Sequence, residues 1–308
     1  MVAHRKIELI APSGFPQDPA AVERGLHRLR EAGHRVDGIR ATERRYQRFA
    51  GTDGERAAEL NRLADPSREL PDIVLAVRGG YGVVRLLHGL DYTGLQKRLT
   101  GQPIAFVGHS DFTALQLALL ARAGLTTFGG PMLASDFGAE EVSRFTMDHF
   151  WHALTTPTFT LKVAGAQPQS VSASGTLWGG NLATLASLVG TPYMPPVQGG
   201  ILFLEDVNEQ PFRIERMIYQ LQLAGILEQQ QALVLGSFSG CKHFDSDNGY
   251  TLNEMIEHVR AVVGIPVLTG LPFGHVPDLV TLPVGAQAKL EADRHGFELT
   301  VDGYPHLG

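Results

Sequence analysis

Between Ile104 and Gly124 the chain turns a strand pattern into a helix pattern within three residues, and that passage limits the folds open to it. Ile104-Ala-Phe-Val107 is a short apolar run of the kind a buried parallel strand needs. Beyond Asp111, apolar residues recur at Phe112, Leu115 and Leu119, the spacing of a helix face, and Gly124 is a natural stop. Gly108-His109-Ser110 must therefore form the turn. A serine there has two readings. It is either the N-cap of the helix, or a nucleophile held out at the carboxyl edge of a sheet beside the free N–H groups of the first turn. The Gly-x-Ser-x-Gly pattern is incomplete, because Phe112 stands where its second glycine belongs. His109, closing the strand, is expected to point to the face opposite Ser110.

The same alternation runs upstream. Residues 7–11 are an apolar run ending in the Pro12-Ser13-Gly14 turn. Asp18-Pro19 then supplies an N-cap and a first helical residue, and Val22, Leu26 and Leu29 mark a helix face that stops at Gly33. A strand at 35–39, a helix over 53–64, a buried strand at 73–77, the Arg78-Gly-Gly-Tyr-Gly82 turn and a helix starting at 83–87 continue the series. This predicts an α/β fold, a mostly parallel sheet with helices on both faces, whose ligands bind beyond the carboxyl ends of the strands. Past Phe150 the texture changes to Thr, Pro, Gln and Ser. A linker is expected over 158–172, between an N-terminal domain, 1–157, and a C-terminal α+β domain, 173–308. Strands at 201–204, 232–235, 279–292 and 297–302 and helices over 211–223 and 252–263 are expected in the latter.

Composition excludes several classes. With 26 basic and 32 acidic residues the net charge is −6, so no general attraction to nucleic acid or anionic membrane is expected. No run approaches the roughly 20 apolar residues of a membrane helix, and the N-terminus does not read as a signal peptide. The single cysteine, Cys241, rules out a disulfide within the chain and fits a reducing compartment. A cytoplasmic protein is expected.

A nucleophilic Ser110 would need a base and a carboxylate to orient it. His149 and His152 share a helix but sit beside Phe150 and Trp151, which favours packing. No His-Glu-x-x-His occurs, so a zinc peptidase is unsupported. In Leu271-Pro-Phe-Gly-His275-Val-Pro-Asp278, a histidine lies in a rigid loop after an apolar strand: a base, or a surface-turn residue. Glu205 ends the apolar run Ile201-Leu-Phe-Leu204, where an acid is costly unless paired; it orients a base, or pairs with Arg213 or Arg216. The 78–82 turn lacks the Gly-Lys-Ser/Thr of a phosphate loop, leaving an N–H donated to an oxyanion together with that of Asp111. The order Ser, Glu, His predicts a site between the domains.

Six spaced motifs then carry a resemblance: Arg78-Gly-Gly-Tyr-Gly82, Gly108-His-Ser-Asp-Phe-Thr113, Gly129-Gly-Pro-Met132, Leu177-Trp-Gly-Gly-Asn181, Leu204-Glu-Asp-Val-Asn-Glu209 and Phe273-Gly-His275. Together they resemble the LD-carboxypeptidases, nearly end to end. The resemblance implies a Rossmann-like N-terminal domain, a C-terminal domain of β-barrel character, and a homodimer. It implies a cytoplasmic serine peptidase of peptidoglycan recycling that removes D-alanine from an L,D-linked murein tetrapeptide without metal or organic cofactor. Residue by residue it implies Ser110 as nucleophile, His275 as base, Glu205 as orienting acid, with Asp206 and Glu209 as the alternative acids, and Gly80 as oxyanion donor beside Asp111. Arg78, Trp178, Asn181, Glu209 and Arg213 are candidates for substrate binding by position. The alternatives are a related serine hydrolase that cleaves a peptidyl-nucleotide antibiotic, and a non-catalytic ligand-binding protein.

Overall fold

The computed structural model describes residues 4–242 and 244–308; Met1, Val2 and Ala3, where the reading against a signal peptide begins, lie outside them. The first half runs β1 (Lys6–Ile10), α1 (Pro19–Glu31), β2 (Arg35–Asp37), α2 (Asp53–Asn61), β3 (Ile73–Ala76), α3 (Tyr92–Leu99), β4 (Ala105–Gly108), α4 (Thr113–Ala123), β5 (Thr127–Gly129) and α5 (Arg144–Thr155). The caps follow from the sequence. Asp18 accepts from Ala20 N ahead of Pro19, and Thr52 and Glu55 close a reciprocal capping box at α2. The helix expected from residue 83 does not form. Residues 83–85 and 87–89 make only 3₁₀ turns, and the run ends at Leu90, which is extended at φ −87° and ψ 139°. α3 begins after Asp91, whose side chain accepts from Gly94 N.

The second half contains β6 (Thr158–Ala164), β7 (Val171–Asn181), α6 (Leu182–Ala186), β8 (Ile201–Val207), α7 (Pro211–Leu223), β9 (Ala232–Ser239), α8 (Leu252–Val262), β10 (Val267–Thr269), β11 (Leu282–Val284), β12 (Ala286–Asp293) and β13 (Gly296–Asp302). Residues 158–172 are thus not simply a linker. β6 alternates exposed Thr158, Thr160 and Lys162 with buried Phe159 and Leu161, and pairs antiparallel with β13. Its polar outer face disguises the two-residue period.

Two sheets result, flanked by helices. The first has the order β11-β5-β4-β3-β1-β2, parallel except for β11, which returns from the C-terminal half to pair antiparallel with β5. The division at residue 173 is therefore crossed by the chain. The second sheet, β10-β9-β8-β7-β12-β13-β6, is parallel from β10 to β7 and antiparallel from there on. It curls until its ends approach. The Gln167 side chain, between β6 and β7, donates to Thr269 O at 3.1 Å and accepts from Thr269 N at 3.2 Å, as a strand neighbour would. One continuous apolar cluster joins the sheets, from Leu9, Leu75 and Val107 to Leu177, Phe203 and Leu282. Among the described residues no helix is long and apolar enough to cross a membrane.

Candidate active site

The turn after β4 settles what Ser110 is locally. Its φ is +63°, a region costly for any residue with a Cβ, by about 1–3 kcal/mol. Residues 110–112 form a 3₁₀ turn leading into α4, with no side-chain cap at either start. Ser110 is therefore not the N-cap of α4. The strained turn is held from beneath by the buried Asp111, whose carboxylate accepts from Ser13 Oγ at 2.7 Å and Val83 N at 3.0 Å. Burial pushes the Asp111 pKa up, against the effect of those two bonds.

The 78–82 turn lies directly against the serine. A Cβ built on Gly79 would stand 2.8 Å from Ser110 Cβ, 2.9 Å from its Oγ and 3.6 Å from Asp111 N. Only a residue without a side chain allows that approach. Gly80 follows at φ 109°, outside any helix or strand. Gly79→Ala is expected to lower kcat on the order of 100-fold by displacing Ser110 and to cost about 1–3 kcal/mol of stability through the clash, as steady-state kinetics beside a melting curve will report.

Glu205 and His275 meet from separate elements. β8 slips register against β9 between Leu204 and Asp206, and this bulge re-aims two consecutive acids into the interior. Glu205 is 0% exposed and its Oε2 lies 2.9 Å from His275 Nδ1. A carboxylate only accepts, so Nδ1 carries the proton and Nε2 keeps a lone pair. Burial alone would lower the His275 pKa; the bond and charge of Glu205, with Asp206 and Asp136 beyond it, outweigh that and raise it. Neither Arg213 nor Arg216 bonds Glu205. The loop carrying His275 is tied to α5, where Thr146 Oγ1 donates to Pro277 O at 2.6 Å and Ser143 Oγ to Asp278 at 2.6 Å.

His109 departs from expectation. Its ring meets that of His275 edge-on, with centroids 5.2 Å apart, and its Nδ1 lies 3.0 Å from Gly130 O. The alternation of a regular strand does not extend to its last residue, which is already bending into the turn. Together with Asp136 and Thr146, His109 and His275 line a cleft of about 330 Å³. Among the described residues no hydrogen bond joins Ser110 Oγ to His275; such bonds commonly close only around substrate. The serine turn and the acid–base pair are nevertheless linked, because Asn181 N donates to Thr113 Oγ1 at 3.0 Å and Asn181 Nδ2 to Glu205 Oε1 at 3.1 Å.

The substrate-binding candidates divide. Trp178 is not available: it is 0% exposed and its Nε1–H donates to Gln230 Oε1 at 2.9 Å inside the core. Trp178→Phe should cost about 1–3 kcal/mol by leaving that acceptor unpaired, and leave KM unchanged. Asn181 is buried with its polar atoms committed. Glu209 and Arg213 form a loose ion pair, 3.9 Å apart, at the start of α7. Arg78 is half-buried beside the serine turn and donates to Phe15 O at 3.0 Å. Burial and then the charge of Arg48 lower its pKa, and among the described residues no carboxylate pairs with either arginine. Thr113 lies inside a recognised motif but carried no role in the sequence reading; Asp206, an alternative to Glu205 as orienting acid, bonds Asn181, Ala183 N and Val207 N, whereas His275 bonds Glu205. Burial, then Glu205, push the Asp206 pKa to about 6 against three bonds it accepts.

Comparison with known proteins identifies the family. The profile of the LD-carboxypeptidase N-terminal domain matches residues 7–130, and that of the LD-carboxypeptidase C-terminal domain matches 174–290. The crystal structure of a muramoyltetrapeptide carboxypeptidase from Oxalobacter formigenes superposes with a TM-score of 0.87 at 44% identity, covering 97% of this chain and 99% of that one. A murein tetrapeptide carboxypeptidase of Pseudomonas aeruginosa is 32% identical across 94% of each chain. The microcin C7 self-immunity protein of Escherichia coli is 28% identical across 90% of this chain and 87% of its own length. With both of its domains matched and these relatives aligned nearly end to end, the chain is a carboxypeptidase and belongs to the LD-carboxypeptidase family.

Proposed function

We propose that this carboxypeptidase is a cytoplasmic serine enzyme of peptidoglycan recycling, releasing D-alanine from L-Ala-γ-D-Glu-meso-diaminopimelate-D-Ala through a Ser110–His275–Glu205 triad. The observation that carries the triad is the 2.9 Å bond between His275 Nδ1 and the wholly buried Glu205, linked through Asn181 and Thr113 to the turn of a strained serine. The names of the relatives support the substrate.

The chemistry follows. His275 Nε2 takes the proton of Ser110 as Oγ attacks the carbonyl carbon of diaminopimelate, and Glu205 stabilises the resulting imidazolium. The N–H groups of Asp111 and Gly80 receive the oxyanion; one such donor is worth on the order of 100–1,000-fold in rate. The C–N bond breaks as His275 returns the proton to the amine of D-alanine. Water, deprotonated by the same imidazole, then cleaves the ester and frees the tripeptide.

The terminal carboxylate of D-alanine, one residue beyond the scissile bond, needs a cation near the serine. Arg78, with Arg48 behind it, fits that need. Arg78→Gln is expected to raise KM for tetrapeptide by about 10–100-fold, the equivalent of ~1.5–3 kcal/mol for a charged hydrogen bond, with a smaller effect on kcat.

The similarity to the microcin self-immunity protein favours a second reading, a hydrolase acting on a peptidyl nucleotide. The deciding experiment offers the purified chain tetrapeptide or a peptidyl adenylate, both with EDTA present. D-alanine release supports the first reading. Cleavage of the adenylate alone, by folded protein, replaces it with the second.

A further inference from the structure

We propose that Asn181 is a positioning residue that, through Thr113, holds the Glu205–His275 pair in register with Ser110 across the two halves of the chain. This rests on the triad reading above.

Asn181 is the last residue of β7 and the N-cap of α6. Its Oδ1 accepts from Thr184 N at 3.0 Å and Thr184 Oγ1 at 2.9 Å. Both hydrogens on Nδ2 are spent on acids, to Glu205 Oε1 at 3.1 Å and Asp206 Oδ1 at 3.0 Å. Two carboxylates on one side and an N–H donor on the other fix which end of the amide is nitrogen. The side chain has no capacity left for a substrate. Its role is internal.

What it governs is the plane of the Glu205 carboxylate. Oε2 takes His275 Nδ1 and Oε1 takes Asn181, so the acid has two anchors and the imidazole inherits its orientation from them. Asp206 steadies the amide from the other side, accepting also from Ala183 N at 2.8 Å and Val207 N at 2.8 Å.

The backbone of Asn181 supplies the other connection. Its N–H donates to Thr113 Oγ1 at 3.0 Å, and Thr113 opens α4 three residues after Ser110. The contact is tight. A Cβ on Gly180, which sits at φ 133°, would lie 2.5 Å from Thr113 Oγ1 and 2.8 Å from Cγ2. Glycine at 180 lets the end of β7 press against the first turn of the serine helix. From Ser110 to His275 the path is therefore one helical turn and three hydrogen bonds, the first two buried and the last, at His275, partly so.

The test uses two readouts on the full chain: tetrapeptide kinetics, and the rate at which diisopropyl fluorophosphate phosphorylates Ser110. In the latter a P–O bond forms, fluoride leaves and His275 takes the serine proton, so the rate reports triad alignment without the substrate. Thr113→Val keeps the shape and removes the acceptor; Thr113→Ser restores it. Asn181→Ser keeps the cap and loses the two bonds to the acids. Thr113→Val and Asn181→Ser should each lose at least tenfold in kcat and in phosphorylation rate, with KM within about threefold of wild type. Thr113→Ser should stay within about threefold in all. A residue acting only on stability would shift the melting midpoint and leave both rates intact. If either folded variant reacts at the wild-type rate, the proposal is overturned. A wild type inert to the reagent removes the triad reading, and this inference with it. If Thr113→Val does not fold, Asn181→Ser decides.

Discussion

Ser110→Ala is expected to lower kcat for D-alanine release by on the order of 10⁴–10⁶-fold, the span seen when one member of a cooperating triad is removed. KM should hardly move, because the hydroxyl contributes to the transition state and little to ground-state binding. The fold should not suffer either. Ser110 makes no side-chain cap and stands at φ +63°, so its conformation is a cost to the folded state. Ser110→Gly separates the two effects: it should be as inactive as the alanine variant but more stable by roughly 1 kcal/mol, since glycine adopts positive φ without strain. D-alanine release beside thermal midpoints for the three proteins tests both statements. Release by Ser110→Ala within tenfold of wild type would remove the serine from the chemistry.

The second large effect is expected at Glu205. Glu205→Gln should reduce kcat on the order of 10⁴-fold, because the amide can donate to Nδ1 and stabilise the wrong imidazole tautomer. The pH profile should also move. As the proposed base, His275 works only when neutral, so kcat/KM should fall as pH drops through its pKa. In the wild type that pKa is raised: burial lowers it, and Glu205 more than compensates. With glutamine in place burial prevails, and the acidic limb should shift to lower pH beneath a collapsed plateau. Glu209→Gln is the control. Glu209 is engaged, loosely, with Arg213, and its loss should leave turnover near wild type. Full activity in Glu205→Gln with loss in Glu209→Gln would identify the wrong acid.

How far the sequence could be read depended on whether the information was local. The cap at Asp18-Pro19, the buried runs of β3 and β4 and the stop at Gly124 are written in neighbouring residues. β6 was hidden because its outward face is polar, and the apolar spacing after Gly82 gives only two 3₁₀ turns before the extended Leu90. Trp178 resembled a substrate contact by its place in a motif, yet its position on an inner face of the second sheet makes it core.

From the sequence alone came the α/β class, the strand-to-helix turn at Ser110 and the three residue types a serine hydrolase needs. These rest on periodicity, propensity and side-chain chemistry within a few positions. Only the tertiary structure decided which groups touch. The parallel register of β7 and β8 sets Asn181 opposite Glu205, the bulge in β8 turns Glu205 and Asp206 inward, and the loop bound to α5 delivers His275. Residues 110, 181, 205 and 275 are distant in the chain, and no local rule states where a side chain points at a bulge or a strand end. That direction is set by the elements packed against it.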